Sequence, residues 1–379
     1  MDFKFNPFKK PILIILKNPV HPVYCVKAND MAGLLWAREN QEAASQELPR
    51  GLRVRRGAAG DEQASFEVMR RAMGYEMVWA DHAPMRHHLR QSSGSSFWVA
   101  EETPRFQKAK TVGYGRSIVR DGVWCLTEFF VLPDYQRKSL GGVLLNRCLR
   151  DGAEFGAEAR LVLASQNPAA DSLYIRRAGC VPRLPMLLLS GPADCLRVAQ
   201  EEAAAIAEAP FGGANRPIRG ARLLAEPLLL TTETSKAINA LDRSIVGFAR
   251  PEEHAQWAAT MGGIQGAARL FRSASNGEIV GYAYLGAFGS GPALALDPAN
   301  LPAMLAHVAE RERLRSRAQR ESGFLFASER YLAVAGTNEI TLRWLLNCGW
   351  KITFQYLFMS SRPMGNLDRY ICHNPLYVL

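Results

Sequence analysis

Apolar and polar residues along this chain follow two rhythms, and the switches between them mark out its elements. Leu52-Arg53-Val54-Arg55 alternates residue by residue, as a half-buried strand does. Asp61, an N-cap by type, opens a helix whose apolar face is Phe66, Val68, Met69, Ala72 and Met73. Residues 79–90 form a second, less regular helical region. Small residues at 92–96 make a turn before a strand at 97–101. A polar hairpin loop at 103–110, opened by Pro104, leads to a strand at 111–119. Asp121-Gly122 then turns the chain into the strand 124–131, because this pair suits the backbone of a tight hairpin. Pro133-Asp134 stops that strand, since proline has no N–H to continue a ladder. Val143, Leu144, Leu145, Cys148 and Leu149 share one helical face. A buried strand at 159–164, a helix at 167–177 closed by Gly179 and a strand at 184–189 complete an order β-α-α-β-β-β-α-β-α-β. That order predicts a mixed α/β layer.

The second half reads as a diverged repeat of the first. A strand at 222–230 precedes helices at 232–242 and 251–261. A strand pair, 270–273 and 279–285, turns at Asn276-Gly277, and a strand at 293–296 stops at Asp297-Pro298. A helix at 301–313, a strand at 331–334, a helix at 338–348 capped by Gly349 and a strand at 351–359 follow. The clearest correspondence sets Asn167, Leu173-Tyr174 and Ala178-Gly179 against Asn338, Leu345 and Cys348-Gly349. The expected organisation is an N-terminal extension over 1–50, an α/β domain over 51–192, a helical linker over 193–220 and a second domain over 221–379. Within the linker, 198–209 reads as an alanine–glutamate helix and 211–217 as a loop by composition. The last segment, 370–379, is expected to complete a sheet.

Between the strand at 124–131 and its helix lies Gln136-Arg137-Lys138-Ser139-Leu140-Gly141-Gly142. A strand, a short basic loop and a helix offer free backbone N–H groups and a positive helix end to a phosphate. The spacing is neither a Walker loop nor G-x-G-x-x-G. Val131, Pro133, Gln136 and Gly141 resemble the signature of the GNAT acyltransferases (GCN5-related N-acetyltransferases), with Ser139 where the first glycine usually stands. The resemblance implies two tandem GNAT-like mixed-sheet domains. It implies that Gln136, Arg137, Lys138, Ser139, Leu140, Gly141 and Gly142 wrap the pyrophosphate of acetyl-CoA, that Val131 and Leu132 pair with its pantetheine arm, and that Asn167 touches it. It also implies Glu128 as general base and Tyr174 as general acid. Leu241-Asp242-Arg243, Gly247-Phe248 and Arg250 look like tandem-GNAT proteins whose second copy has lost its phosphate loop. Here the replacement, residues 297–302, is acidic and proline-rich, and Leu345 stands for the tyrosine.

Acyl transfer to an amine requires loss of an amine proton, stabilisation of charge at the carbonyl oxygen and a proton for the leaving thiolate. The residues alone leave plainer roles open: Glu128 as a hairpin carboxylate, Tyr174 as a core aromatic, Asn167 as an N-cap. A net charge of +10, spread along 379 residues, suits an anionic co-substrate. No concentrated basic run or nucleic-acid motif is present. Seven scattered cysteines without C-x-x-C spacing read as free thiols in a reducing cytosol. His82, His87 and His88 lack a completing carboxylate or cysteine, so no metal is expected. The acceptor pocket is expected near Tyr75, Trp79, Asp81 and His82. No membrane span or export signal is read, which points to the cytoplasm. The expected activity is transfer of acetyl from acetyl-CoA to a primary amine of a small molecule or peptide by a monomer or homodimer, with neither nucleic acid nor membrane as partner. The rival is a non-catalytic acyl-CoA sensor or scaffold.

Overall fold

The structure, a computed structural model, describes residues 48–372 apart from 75–78, 104–107, 193–194, 209–221, 262–265, 286–289 and 321–328. Most of the expected extension, Tyr75, the loop 211–217 and residues 373–379 therefore lie outside the described residues.

The alternating and helical rhythms become elements nearly where the sequence puts them. The first half runs β1 (Leu52–Arg56), α1 (Glu62–Met73), α2 (Trp79–Gln91), β2 (Ser95–Glu102), β3 (Lys110–Arg120), β4 (Val123–Val131), α3 (Leu140–Glu154), β5 (Ala159–Ala164), α4 (Pro168–Leu173) and β6 (Val181–Pro192). Asp121 and Gly122 take φ of 47° and 75°, the left-handed conformation that the β3–β4 hairpin requires. The helix expected over 198–209 is shorter. α5 covers Gln200–Ala204, and Ile206–Glu208 becomes a strand, β7. There the Ala205 carbonyl accepts from the amides of Arg222 and Leu223, and Ile206 is buried, so sheet pairing overrides helix continuation.

The second half repeats the series as β8 (Leu223–Pro227), α6 (Thr232–Ile245), α7 (Pro251–Met261), β9 (Arg269–Ser273), β10 (Ile279–Leu285), β11 (Ser290–Ala295), α8 (Leu301–Arg320), β12 (Glu329–Ala335), α9 (Glu339–Asn347) and β13 (Lys351–Ser360), then adds β14 (Tyr370–Cys372). The strand registers display the repeat. Gly113 pairs with Val131 and Tyr114 with Phe130, while Gly281 pairs with Ala295 and Tyr282 with Leu294. Gly281 has no room for a side chain, and Gly113 has little. A Cβ would come 3.1 Å from the Phe130 carbonyl oxygen at Gly113 and 2.4 Å from that of Leu294 at Gly281.

The strands form one 14-stranded sheet, in the order β1-β2-β3-β4-β5-β13-β6-β12-β14-β11-β10-β9-β8-β7. Its centre is an exchange. β13, from the second half, lies between β5 and β6 of the first and is antiparallel to both. β6, from the first half, pairs along its far edge with β12 of the second, from Met186 to Pro192. Each half thus lends the other its last helix-following strand. The cores meet across this seam, where Met186, Ala333, Tyr356 and Phe358 belong to one buried cluster.

Polar contacts join the halves beside the seam. Buried Arg120 donates from Nε and Nη2 to Glu253 at 2.8 Å, and His88 Nε2 lies 3.3 Å from the same carboxylate. Asp121 receives Arg243 Nε at 2.7 Å and the Ala249 amide at 2.9 Å. Burial alone would raise the Glu253 pKa, but the hydrogen bonds from His88 and Arg120 outweigh it and hold it at about 2, against an ordinary 4.5. A carboxylate depressed in the folded state contributes stability above its unfolded pKa and loses that contribution as pH falls through its folded pKa. Unfolding free energy should therefore fall from pH about 4.5 towards 2. In denaturant titrations across this range, Glu253→Gln should flatten the slope and lower stability at pH 7. An unchanged slope would contradict this role for the clamp.

Candidate functional site

The geometry of the site begins with one extra residue. In the β3–β4 ladder Arg116 pairs with Glu128 and Ser117 with Leu126, so Thr127 is a bulge, its Oγ1 donating to the Arg116 carbonyl at 3.1 Å. A bulge bends its strand and ends regular pairing. β4 accordingly pairs in parallel with β5 only from Val123 to Leu126. Beyond the bulge the pairing ends, and this gap in the ladder, the slot, lies between Phe129–Val131 of β4 and Leu163–Ala164 of β5.

At the mouth of the slot the chain makes a 3₁₀ turn, Pro133–Tyr135, and enters α3. Gln136 donates from Nε2 to the Val131 carbonyl at 3.0 Å, tying the loop back to the strand. Arg137 and Ser139 take φ of 61° and 62°. Ser139 thus adopts the left-handed backbone that favours glycine, at a cost of about 1 kcal/mol for an L-residue. This turn delivers the chain to the α3 N-terminus, where Leu140, Gly141 and Gly142 open the helix without a side-chain cap. First-turn amides have no intrahelical acceptor. Gln136, Arg137, Lys138 and Ser139 are exposed, and Val131 is half-buried. Leu132 is buried in the core, its amide on the Val112 carbonyl at 2.9 Å.

Tyr174 comes to the same place. Gly179 lies one residue farther from Asn167 than Gly349 does from Asn338. The first half absorbs the extra residue as a π-helical turn over Tyr174–Ala178. The Tyr174 ring meets Phe129 edge-on at 6.0 Å, and a Cβ at Gly141 would sit 3.6 Å from Phe129 and 3.7 Å from Leu173. Loop, splayed strand and tyrosine are therefore contiguous. Among the described residues no hydrogen-bond partner reaches the Tyr174 hydroxyl. Burial, with help from Asp171, pushes its pKa well above the ordinary phenol value, so it stays protonated at neutral pH. Asn167 is an exposed N-cap, its Oδ1 accepting from Ala169 at 3.1 Å and Ala170 at 3.2 Å.

Glu128 does not fit the role of a free general base. Its side chain is fully buried between two guanidiniums. Arg86 Nη1 holds Oε1, and Arg116 Nε donates to Oε2 at 2.9 Å. Arg116 Nη2 also binds both oxygens of Glu62, at 2.9 and 2.8 Å, and Arg86 reaches the Tyr114 hydroxyl at 3.2 Å. Sequence reasoning missed Glu62, Arg86 and Arg116. The available signal was an arginine in the interior of β3, across the hairpin from Glu128. Removing one member of a buried pair typically costs about 3–5 kcal/mol, because the other charge is left uncompensated.

The remaining candidates disperse. Trp79 and His82 pack on Phe66, at 5.3 and 5.5 Å between ring centroids. His87 meets Arg90, and His88 meets Glu253. Tyr75 and the Asp81 side chain are outside the described residues. Among the described residues no cluster could hold a metal, and no helix is long and apolar enough to cross a membrane. Burial raises the Cys125 thiol to about 12, which leaves it a core residue.

The second half lacks both the loop and the open slot. Asp297 accepts the Ala299 amide at 3.0 Å, so a carboxylate already caps the turn before α8. β14 fills the slot between β11 and β12. Ala293 and Leu294 pair with Ile371 and Tyr370, and Val334 and Ala333 pair with Ile371 and Cys372.

Residues 66–179 match the family model described as the Acetyltransferase (GNAT) family. A Pyrococcus horikoshii protein described as "a putative acetyltransferase" superposes with a TM-score of 0.58 at 14% identity, covering 86% of this chain and 95% of that one. A GCN5-related N-acetyltransferase of Sphaerobacter thermophilus gives 0.54 at 14% identity, covering 85% and 100%. These likenesses establish a GNAT fold, and the internal registers establish that it occurs twice. No functionally curated protein matches the sequence. In chemical denaturation, Glu128→Gln should lose about 3 kcal/mol or more of stability. A variant as stable as the parent would reopen Glu128 as a free carboxylate.

Proposed function

We propose that the first half binds acetyl-CoA in the slot between β4 and β5 and transfers its acetyl group to a primary amine. The observation that carries this reading lies in the second half. There the corresponding slot accepts an extended, amide-bearing chain, β14, as an inserted strand. Pantetheine is also extended and amide-bearing, and the corresponding strands of the first half, β4 and β5, pair directly only over Val123–Leu126 and, among the described residues, have no strand inserted beyond. Asn338, the counterpart of Asn167, donates from Nδ2 to the Tyr370 carbonyl of that insert at 3.4 Å. This supports Asn167 as a ligand contact as well as a cap.

In this reading Val131 offers its backbone to the pantetheine arm, and Leu132 anchors the end of the strand in the core. Residues 136–142 face the pyrophosphate, with Arg137 and Lys138 supplying charge and Leu140, Gly141 and Gly142 supplying helix-end amides. The amine nitrogen attacks the thioester carbonyl, the carbon–sulfur bond breaks, and Tyr174 gives its hydroxyl proton to the departing thiolate, while the proton that the nitrogen sheds on becoming an amide passes through solvent and restores the Tyr174 hydroxyl. With Glu128 held by Arg86 and Arg116, the acceptor enters as the neutral amine. The rate then rises with pH in step with the amine's own ionisation. The sealed Glu128 also favours a second reading, a non-catalytic acyl-CoA sensor.

Calorimetry and thiol release over an amine panel separate the two. Acetyl-CoA should bind at one equivalent per chain, and Gly141→Glu should abolish binding. Tyr174→Phe should lower turnover about 10²-fold, the lower range for acid–base groups, with affinity nearly unchanged. Binding without turnover for every amine would favour the sensor, and absence of binding would overturn both.

A further inference from the structure

We infer that the slot of the second half is a receptor for an extended peptide strand, and that the chain's own Tyr370–Cys372 is its resident ligand. The inference rests on strand pairing alone and is independent of what the first slot binds.

Three observations carry it. First, β14 is the link between two parts of the second half. The sheet passes from β11 to β12 only through β14, whereas in the first half β4 and β5 pair directly over Val123–Leu126. Filling this slot therefore joins strands that would otherwise end in open edges. Second, the fit is complete. Tyr370, Ile371 and Cys372 are each 0% exposed, and β14 is antiparallel to both neighbours. Third, the slot carries a built anchor. The Tyr370 hydroxyl accepts from Arg250 Nη1 at 2.7 Å, and Arg250 Nε donates to Asp242 at 2.9 Å. Tyr282 donates to the other Asp242 oxygen at 2.5 Å, and His254 bridges Asp242 and Tyr284, each at 3.0 Å. Asp242, Arg250, Tyr282 and Tyr284 are all fully buried. The network thus places a fixed guanidinium donor where the ligand's phenol arrives.

The ligand class follows from this geometry: an extended segment with a tyrosine one residue before a β-branched residue that fills the middle of the slot. The chain provides such a segment in β14, after Leu367–Arg369 turn it back onto the sheet. The Asn366 amide on the Ile245 carbonyl, at 2.7 Å, fixes that return.

Peptide complementation tests the inference. A chain ending at Arg369 should melt below the full chain and bind a labelled peptide of residues 370–379 at one saturable site. The peptide should restore the melting temperature. A Tyr370→Phe peptide should bind about ten-fold or more weakly, the usual effect of losing a hydrogen bond to a charged group. Unchanged melting with no peptide binding would overturn the inference. If the shortened chain does not fold, hydrogen exchange on the full chain decides. Amides of residues 371 and 372 should be strongly protected and should exchange about ten-fold faster in Tyr370→Phe, with β2 and β3 unchanged. Free-peptide exchange rates at those amides in the parent would overturn it.

Discussion

The structure depends on the exchange of β13 and β6. β6 is hydrogen-bonded on one edge to β13 and on the other to β12, both from the opposite half. Neither half can complete its sheet from its own strands. The two copies are therefore one folding unit, and the ion pairs of Glu253 and Asp121 stand beside the seam rather than substituting for it. The position of each slot relative to its helices also follows, because β5 and β12 are each held on the far side by a strand from the other copy.

Within that frame the copies treat the same slot differently. Each has a tyrosine from its third strand, Tyr114 or Tyr282, whose hydroxyl meets a buried arginine, Arg86 or Arg250. In the first copy this network closes over Glu128 and leaves the slot open. In the second it reaches into the slot and holds Tyr370. One copy keeps a basic, left-handed loop and a π-turn that brings Tyr174 to Phe129. The other has an acid-capped turn, leucine for tyrosine, and a strand of its own in place of a ligand. We read the second copy as a scaffold completed by its own strand.

Local features of this arrangement were legible in the sequence. Pro133, the glycines after Ser139 and the apolar face of α3 specify strand, turn and helix within thirty or so residues, where short-range preferences govern. Asp121-Gly122 declared its hairpin, and Asn167 and Asn338 declared matched helix starts. Features that depend on distant partners were not legible. The Thr127 bulge is visible only once Arg116 and Glu128 are in register. The apolar runs of β6 and β13 suit any buried neighbour, so nothing local announces the exchange. The resemblance implied Glu128 as a base, and nothing local announces that Arg86, 42 residues away, and Arg116 are brought to it by the fold. That the segment from Tyr370 joins a sheet was expected, but a strand as short as Tyr370–Cys372 carries no periodic signal to say between which strands it inserts.

The central claim is that the chain has two slots of one kind, one open and one filled by itself. Hydrogen exchange with and without acetyl-CoA tests this most directly. The account predicts new protection at residues 136–142 and 163–165, and none at 293–300 or 333–336. Equal protection in both halves, or protection confined to the second, would contradict it.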